Sequence, residues 1–265
     1  MLKSVFERYP ELRTLRGLVP DALVEREVSS RAEVYEMDLK RARQAIPTVN
    51  LGDVFGTEME RAAIALDHFL GHWGNVTVEE LCKICLIVRL LAPKRILEIG
   101  TYNGMTTLQM ALNAPEDGVV YTLDLPKEVV PRTALSSLDA QVSLGIMEKF
   151  KTETGSYFRG HTAEQKIRQL WGDSETFDYA VLGGPADLIF IDAAHDYHHK
   201  KIDSQNAFNL LTPGGVILWH DYGSVCNPDV TRYLADLSKE RKLFHLRNTH
   251  LVLYQAGRSA GTAGQ

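Results

Sequence analysis

The sequence is poor in cysteine and in long apolar segments, and each shortage excludes a class of protein. Three cysteines, Cys82, Cys85 and Cys226, are too few for a disulfide framework. Cys82-x-x-Cys85 has no second pair and lies in an apolar helical pattern, so we expect core packing rather than metal or redox chemistry. The longest apolar run, from Cys85 to Ala92, is interrupted by Arg89 and is far shorter than the ~20 residues of a membrane-spanning helix.

The chain also lacks an excess of positive charge. Lys and Arg total 29 against 34 Asp and Glu, a net charge of −5, which leaves no broad basic surface for nucleic acid. Residues 1–10 contain no apolar core of signal-peptide length. We therefore expect a cytoplasmic globular protein that binds neither nucleic acid nor a membrane.

What is present divides into a helical first part and an α/β second part. From Phe55 to Trp73 apolar residues recur at steps of three and four, which predicts one helix. Thr77 and Glu80 have the spacing of a capping box, which predicts that another helix begins there. We interpret residues 1–76 as a helical extension that acts as a lid or in oligomerisation.

After Pro93, short apolar segments alternate with helical ones, a pattern typical of a parallel sheet with crossover helices. We predict an α/β fold with a doubly wound, mostly parallel, seven-stranded sheet that ends in a hairpin with one antiparallel strand. The predicted strands are Arg95–Ile99, Val119–Leu123, Ile167–Trp171, Leu188–Asp192, Gly215–Trp219, Leu243–Leu246 and Leu251–Tyr254. The predicted helices between them are Met105–Asn113, His198–Leu211 and Val230–Lys239.

The α/β domain is predicted to cover residues 77–256, followed by a flexible tail at 257–265. A long insertion at 125–168, with a helical segment at Leu135–Phe150, follows the second strand of the sheet. Because long loops in compact domains are often functional, we expect this insertion to help shape a pocket.

The carboxyl ends of the predicted strands carry the candidate site, as is the rule for open α/β sheets. Glu98-x-Gly100-x-x-x-Gly104 follows the first strand and includes Thr101 and Tyr102. The glycines allow a sharp turn and close approach of a ligand to the backbone, but their spacing is not that of a dinucleotide-binding motif.

Two further strand ends suit a nucleoside. Asp124, just over twenty residues after the glycines, has two carboxylate oxygens that can take both hydroxyls of a ribose. The turn Gly172-Asp173-Ser174 could hold a purine edge, and an ordinary Asx turn explains it equally well.

The next two strand ends bring ionisable side chains to one rim of the sheet. Asp192 and His195 follow one strand, and His220 and Asp221 follow its neighbour. Four such groups are costly together unless they are paired, bind a metal or perform chemistry. The adjacent His198 and His199 are interpreted as a solvated face.

Taken together, these motifs resemble class I S-adenosylmethionine-dependent methyltransferases over roughly Thr77 to Gln255. The resemblance extends to Phe190-Ile-Asp192-x-x-His195-x-Tyr197 and to Pro213-Gly-Gly215 followed by His220-Asp221-Tyr222. It is strongest to the macrocin- and mycinamicin-type O-methyltransferases of natural product biosynthesis. It implies a Rossmann-like fold and S-adenosylmethionine as cofactor.

The resemblance also implies roles for single residues. The Glu98–Gly104 loop would hold the methionine end of the cofactor, Asp124 the ribose, and Gly172, Asp173 and Ser174 the adenine side. Asp192 would lie beside the cofactor. Asp192 and His195 would form the catalytic centre, with His195 as the general base.

In metal-dependent relatives, acidic residues at the positions of Asp192, His220 and Asp221 bind magnesium. A histidine at position 220 suits manganese, iron or zinc better, because magnesium prefers oxygen ligands. Without a metal, His220 would hydrogen-bond the substrate or Asp192.

We therefore expect transfer of a methyl group to a hydroxyl of a small molecule: a sugar, a phenol or another natural product. The assembly expected is a homodimer or a higher homo-oligomer. The alternative is a non-catalytic, cofactor-binding scaffold domain. A nicotinamide dehydrogenase is disfavoured by the glycine spacing.

Overall fold

The computed structural model describes residues 40–56, 59, 61–69, 74–126, 153–224 and 226–257. Within them the chain forms one sheet with helices on both faces, which confirms the predicted α/β class. The strands are β1 (Thr48–Val49), β2 (Arg95–Ile99), β3 (Val119–Asp124), β4 (Ile167–Trp171), β5 (Ala186–Ile191), β6 (Leu211–Trp219), β7 (Phe244–Leu246) and β8 (Val252–Gln255). The helices are α1 (Leu51–Phe55), α2 (Val78–Leu91), α3 (Met105–Asn113), α4 (Tyr197–Leu210) and α5 (Pro228–Leu237), with 3₁₀ turns at Thr162–Lys166 and Tyr179–Leu182.

The sheet has the order β1-β7-β8-β6-β5-β2-β3-β4. Among the strands of the described residues, only β8 runs antiparallel, to both β6 and β7, as the predicted C-terminal hairpin requires. All seven predicted strands are present, but the predicted number is one too small. The eighth strand, β1, pairs in parallel with β7 through Thr48 and His245. Two residues are too few to produce a periodic signal in the sequence.

Two apolar layers sandwich the sheet because successive strand residues point to opposite faces. Ile96 lies in the layer beneath α2 and α3, and its neighbour Leu97 lies in the layer beneath α4 and α5. The second layer includes Trp219, whose Nε1 donates to Ser204 Oγ of α4 at 2.9 Å. With both faces covered, ligands reach the sheet only at its ends.

The helix predicted to run on from Phe55 is wrong in the described residues, since α1 ends there and the following segment is irregular. Side chains of α3 form hydrogen bonds with the backbone of this segment, in place of the hydrogen bonds that a helix would make. Asn113 accepts from Ala65 N at 2.9 Å and donates to Ala65 O at 2.7 Å. Gln109 holds the backbone of Asp67 in the same way, at 3.1 and 2.6 Å. The apolar spacing there therefore reflects packing against the core rather than a helix.

The capping box predicted for α2 is confirmed. Glu80 N donates to Thr77 Oγ1 at 3.3 Å, and Thr77 N donates back to Glu80 Oε2 at 2.7 Å. The described residues do not include the helix predicted at Leu135–Phe150, residues 1–39 or the tail beyond residue 257. In the described part, no helix is long and apolar enough to cross a membrane.

Candidate active site

The glycine loop after β2 lies directly against the end of β5. Gly100 has φ +101°, and a Cβ there would come within 2.1 Å of the carbonyl oxygen of Asp192. Gly104, at φ +81°, caps the N-terminus of α3. Only glycine fits these positions without strain, so the loop brings backbone N–H groups and a helix N-terminus to the sheet edge.

Glu98 is buried beneath this loop, with 1% of its surface exposed. Its Oε2 accepts hydrogen bonds from Thr107 of α3 and, at 2.6 Å, from Thr122 of β3. Burial raises the pKa of Glu98 to about 8, although the two hydroxyls oppose the change. In the free protein this carboxyl is therefore largely protonated at neutral pH, and it lacks a cationic partner among the described residues.

Asp124 ends β3 and fixes the glycine loop. Its Oδ2 accepts from Thr101 N at 3.1 Å and from Tyr102 N at 2.9 Å, and its Oδ1 accepts from Leu125 N at 2.8 Å. Burial raises the pKa of Asp124 above its ordinary value, and these three backbone donors offset only part of the rise. The carboxylate thus has a loop-holding role that the sequence did not indicate, and the predicted ribose contact would use its remaining acceptor capacity.

The turn Gly172–Ser174 follows β4 beside Asp124. Gly172 N donates to Asp124 O at 3.0 Å, and Glu175 N donates to Asp173 Oδ1 at 3.0 Å. A Cβ on Gly172 would come within 2.7 Å of the Phe177 ring, so a larger residue there would displace that ring. The predicted ribose and adenine positions are therefore neighbours at one edge of the sheet.

The four predicted rim residues do lie together. His195 Nε2 is 2.9 Å from Asp221 Oδ2, and His220 Nδ1 is 3.2 Å from Asp192 Oδ1 and 3.5 Å from Asp221 Oδ2. Asp221 adopts φ +70°, which costs a non-glycine residue about 1–2 kcal/mol. This break in the strand geometry lets two successive residues face one rim.

Charges in the rim are mutually compensated. Burial alone lowers the pKa of His220, but the carboxylates of Asp192 and Asp221 outweigh it and raise the pKa well above its ordinary value. Burial raises the pKa of Asp221, but the imidazoles of His220 and His195 bring it well below its ordinary value. The two carboxylates therefore favour the imidazolium form of His220.

Glu80 is a neighbour of this rim that the sequence did not indicate. Its Oε2 lies 3.4 Å from His220 Nε2, and its Oε1 accepts from His250 N at 2.6 Å. The interactions with His220 and the backbone hold the pKa of Glu80 at about 2 despite the opposing effect of burial. The capping-box spacing identified Glu80 as a helix cap, but nothing in the sequence connects that cap to β6.

The donor set suits a transition metal better than magnesium. Metal-ligating atoms of Asp192, His195 and Asp221 all lie within 4.8 Å of one another. This set differs by one imidazole from the predicted one, in which His220 was the nitrogen ligand. Two carboxylates and one imidazole are compatible with manganese, iron or zinc.

A second group of possible ligands, Asp67, His68 and His161, lies away from these strand ends. Ala163 N donates to His161 Nδ1 at 2.9 Å, which leaves the ring proton on Nε2. His161 Nε2 then donates to Asp67 Oδ2 at 3.1 Å. Because the Nε2 lone pair is not available, we interpret this group as a hydrogen-bonded contact between two segments rather than a metal site.

Comparison with known proteins gives a family match that includes the glycine loop and the rim residues. Residues 97–222 match the family described as "Methyltransferase domain". This match and the relatives described below support a class I S-adenosylmethionine-dependent methyltransferase. The expectation from the resemblance is therefore confirmed for the family, and the macrocin and mycinamicin branch stays a prediction.

Caffeoyl-CoA O-methyltransferases are similar over part of the chain. The proteins from Zinnia elegans and Arabidopsis thaliana are 31% and 30% identical over 152 residues, 54% of this chain in each case. The matches cover 52% and 49% of those relatives, so the chain spans about half the length of the curated relatives it matches. A solved structure of the O-methyltransferase TomG from Streptomyces achromogenes, in complex with SAM, is also similar. The match covers 84% of this chain and 90% of TomG, at 18% identity and a TM-score of 0.45.

Proposed function

We propose that this methyltransferase transfers the methyl group of S-adenosylmethionine to a hydroxyl oxygen of a small molecule, with His195 as general base. The observation that carries the proposal is the 2.9 Å pair between His195 Nε2 and Asp221 Oδ2 beside the glycine loop. Oxygen as the accepting atom is supported by the names of the caffeoyl-CoA O-methyltransferase relatives.

The cofactor residues proposed are those of the three strand ends. The Glu98–Gly104 loop would bind the methionine end, Asp124 the ribose, and the Gly172–Ser174 turn the adenine. Fit is supported by two observations: Gly100 lies against the carbonyl oxygen of Asp192 with no room for a side chain, and Glu98 is a buried carboxyl without a cationic partner among the described residues. An ammonium group beside Glu98 would favour its ionised form. When bound, S-adenosylmethionine supplies a methyl group already activated by its sulfonium leaving group.

The chain's own residues then have to orient the acceptor and remove its proton. As the oxygen–carbon bond forms and the sulfur–carbon bond breaks, the hydroxyl proton passes to the imidazole of His195. Asp221 orients that imidazole and stabilises its charged form, because a hydrogen-bonded carboxylate raises imidazole basicity. If Nε2–H donates to Asp221, Nδ1 is the nitrogen that accepts the proton.

A divalent metal would be held by Asp192 and Asp221 with one imidazole, and would lower the pKa of the acceptor hydroxyl. The choice of imidazole has a chemical consequence. A metal bound with His220 leaves His195 as the base, whereas a metal bound with His195 uses that histidine as a ligand. We propose the first arrangement, because only it keeps a proton acceptor beside the substrate.

The acceptor class is proposed as a sugar, a phenol or another natural product hydroxyl. The test incubates the full chain with methyl-labelled S-adenosylmethionine and a panel of glycosides, catechols and aliphatic alcohols, with and without Mn²⁺. Transfer of label to one oxygen acceptor supports the proposal. Tight binding of S-adenosylhomocysteine with no transfer across the panel would favour the non-catalytic scaffold instead.

Assembly into a homodimer or a higher homo-oligomer remains a proposal that rests on the sequence of residues 1–76, most of which lie outside the described residues. Static light scattering at micromolar concentration measures it directly, and a monomer would contradict it.

A further inference from the structure

The carbonyl of Ser174 is held by two side chains from other elements. Asn206 Nδ2 of α4 donates to Ser174 O at 3.0 Å, and the Tyr179 hydroxyl donates to the same oxygen at 3.1 Å. A carbonyl oxygen has two lone pairs, so this acceptor is fully used. Neither Asn206 nor Tyr179 lies in one of the sequence motifs that indicate the site.

The same turn is fixed at its other end. Gly172 N is bonded to Asp124 O, and the Phe177 ring fills the space where a Gly172 side chain would be. Phe177 packs edge-on against Tyr179, with ring centroids 5.3 Å apart. The turn that is proposed to bind adenine is thus held at both ends by groups that do not themselves belong to it.

We infer that Asn206 and Tyr179 are positioning residues for the adenine side of the cofactor, acting through the Ser174 carbonyl. The inference rests on the proposed cofactor site at Gly172–Ser174. Correct placement of binding groups by supporting residues is worth a measurable part of affinity, because an unsupported turn must be ordered when the ligand binds.

Two buried groups lie at the back of the turn, the Tyr179 hydroxyl and the Asp203 carboxyl. Burial raises the pKa of the Tyr179 hydroxyl, so it stays a donor across the physiological range. Asp203, one helical turn before Asn206, is fully buried near Ser174, and its two carboxylate oxygens have no hydrogen-bond partner among the described residues. The partner of His195 is instead Asp221, which follows β6, so loss of the Asn206 contact leaves the proposed base in place.

The experiment measures S-adenosylhomocysteine affinity by calorimetry for Asn206→Ala, Tyr179→Phe and the double variant. We expect Kd to rise about tenfold for Asn206→Ala, equivalent to about 1.4 kcal/mol, with kcat at saturating cofactor within twofold of the parent. Because both donors serve one carbonyl, the two effects should be non-additive. Gln205→Ala, at the exposed neighbouring position on α4, is the matched control and should bind like the parent.

An adenine-specific readout separates positioning from general destabilisation. S-inosylhomocysteine carries a keto group where adenine has its amino group, so the ratio of its Kd to that of S-adenosylhomocysteine reports how well the turn recognises adenine. This ratio should fall at least threefold in Asn206→Ala. If a folded Asn206→Ala variant has the same affinity and the same Kd ratio as the parent, the inference is wrong and the proposed function stands. If the parent itself does not bind S-adenosylhomocysteine, both the inference and the proposed function are wrong.

Discussion

Glu80 Oε2 lies 3.4 Å from His220 Nε2 and thereby joins the first turn of α2 to the end of β6. The same carboxylate accepts hydrogen bonds from Thr77 N and His250 N. One buried side chain, 1% exposed, therefore caps a helix, fixes a loop and balances the imidazolium of the rim. A capping residue with this many partners should contribute far more to stability than an ordinary cap.

Glu80→Gln is expected to destabilise the free protein by about 3 kcal/mol. The fall of the Glu80 pKa from 4.5 to about 2 corresponds to that energy at 1.36 kcal/mol per pH unit, and removing one partner of a buried pair costs a similar amount. Because the folded pKa is the lower one, this stability is present above pH 4.5 and is lost as the pH falls toward 2. Urea denaturation at pH 7 and pH 3 measures both.

The neighbouring Glu79 provides the control. Its half-exposed side chain pairs with Lys83 at 2.7 Å, so Glu79→Gln should change the free energy of unfolding by less than about 1 kcal/mol. Equal effects of the two substitutions would show that the contact between Glu80 and His220 contributes nothing.

Glu98 should release a proton when the cofactor binds. Its pKa of about 8 keeps it mostly protonated at pH 7 in the free protein, and the proposed ammonium partner favours the ionised form. Calorimetry of S-adenosylhomocysteine binding in buffers of different ionisation enthalpy should detect up to one proton released at pH 7. Glu98→Gln should abolish that release and weaken binding.

The same residue predicts a pH effect on stability. The folded pKa lies above the unfolded value of 4.5, so the neutral carboxyl costs no stability below pH 4.5. As the pH rises from 4.5 to about 8, the free protein loses stability, because the ionised group is tolerated only in the unfolded chain. Glu98→Gln should be less sensitive to pH over this interval, and an unchanged pH profile would contradict the assignment.

The strand ends could be predicted from the sequence because apolar runs fix the strands and topology fixes where they end. Asp192, His195, His220 and Asp221 were placed at one rim for this reason, and the structure brings them together. Partners that come from distant elements were not predictable in this way. Asn206 reaches Ser174 across 32 residues, and no local pattern indicates that contact.

The N-terminal segment shows where periodicity misleads. Apolar steps of three and four predicted a helix after Phe55, but the amides of Asn113 and Gln109 take the backbone groups of Ala65 and Asp67. A tertiary contact of this kind overrides local propensity. Strand β1 was missed for the opposite reason, because a two-residue pairing leaves no pattern.

Asp124 can be separated into its two roles by two substitutions. Asp124→Ala removes both the loop contacts and the proposed ribose acceptor, so S-adenosylhomocysteine affinity should fall by roughly 2–3 kcal/mol and stability should also decrease. Asp124→Asn keeps one acceptor oxygen for Thr101 N and Tyr102 N but removes the charge. It should recover most of the stability and little of the affinity; full recovery of affinity would leave Asp124 with the loop role alone.

His195→Ala should lower kcat by about 10²–10⁴ while leaving S-adenosylhomocysteine affinity nearly unchanged, because the base acts on the acceptor. The control is His198→Ala on α4. His198 is exposed and lies 3.7 Å from Glu175, away from Asp221, so activity should be retained. Normal turnover by His195→Ala would assign the base to another group.

The last prediction concerns the metal and follows from the charge balance at the rim. In the metal-free protein, the imidazolium of His220 compensates Asp192 and Asp221. A divalent cation between the two carboxylates would take over that compensation, and His220 would have to lose its proton before it could act as a ligand. Metal binding should therefore release a proton and strengthen as the pH rises from 6 to 8.

Titration with Mn²⁺ and with Zn²⁺ after exhaustive chelation tests this, with binding followed by calorimetry and activity measured in parallel. Asp192→Asn should abolish binding, whereas His195→Ala should retain it if His220 is the nitrogen ligand and lose it if His195 is. Full activity in the presence of a chelator, with no binding of either ion, would show that the rim works as a charge-balanced network. Proton removal would then be assigned to His195, because the carboxylates of Asp192 and Asp221 favour the protonated form of His220.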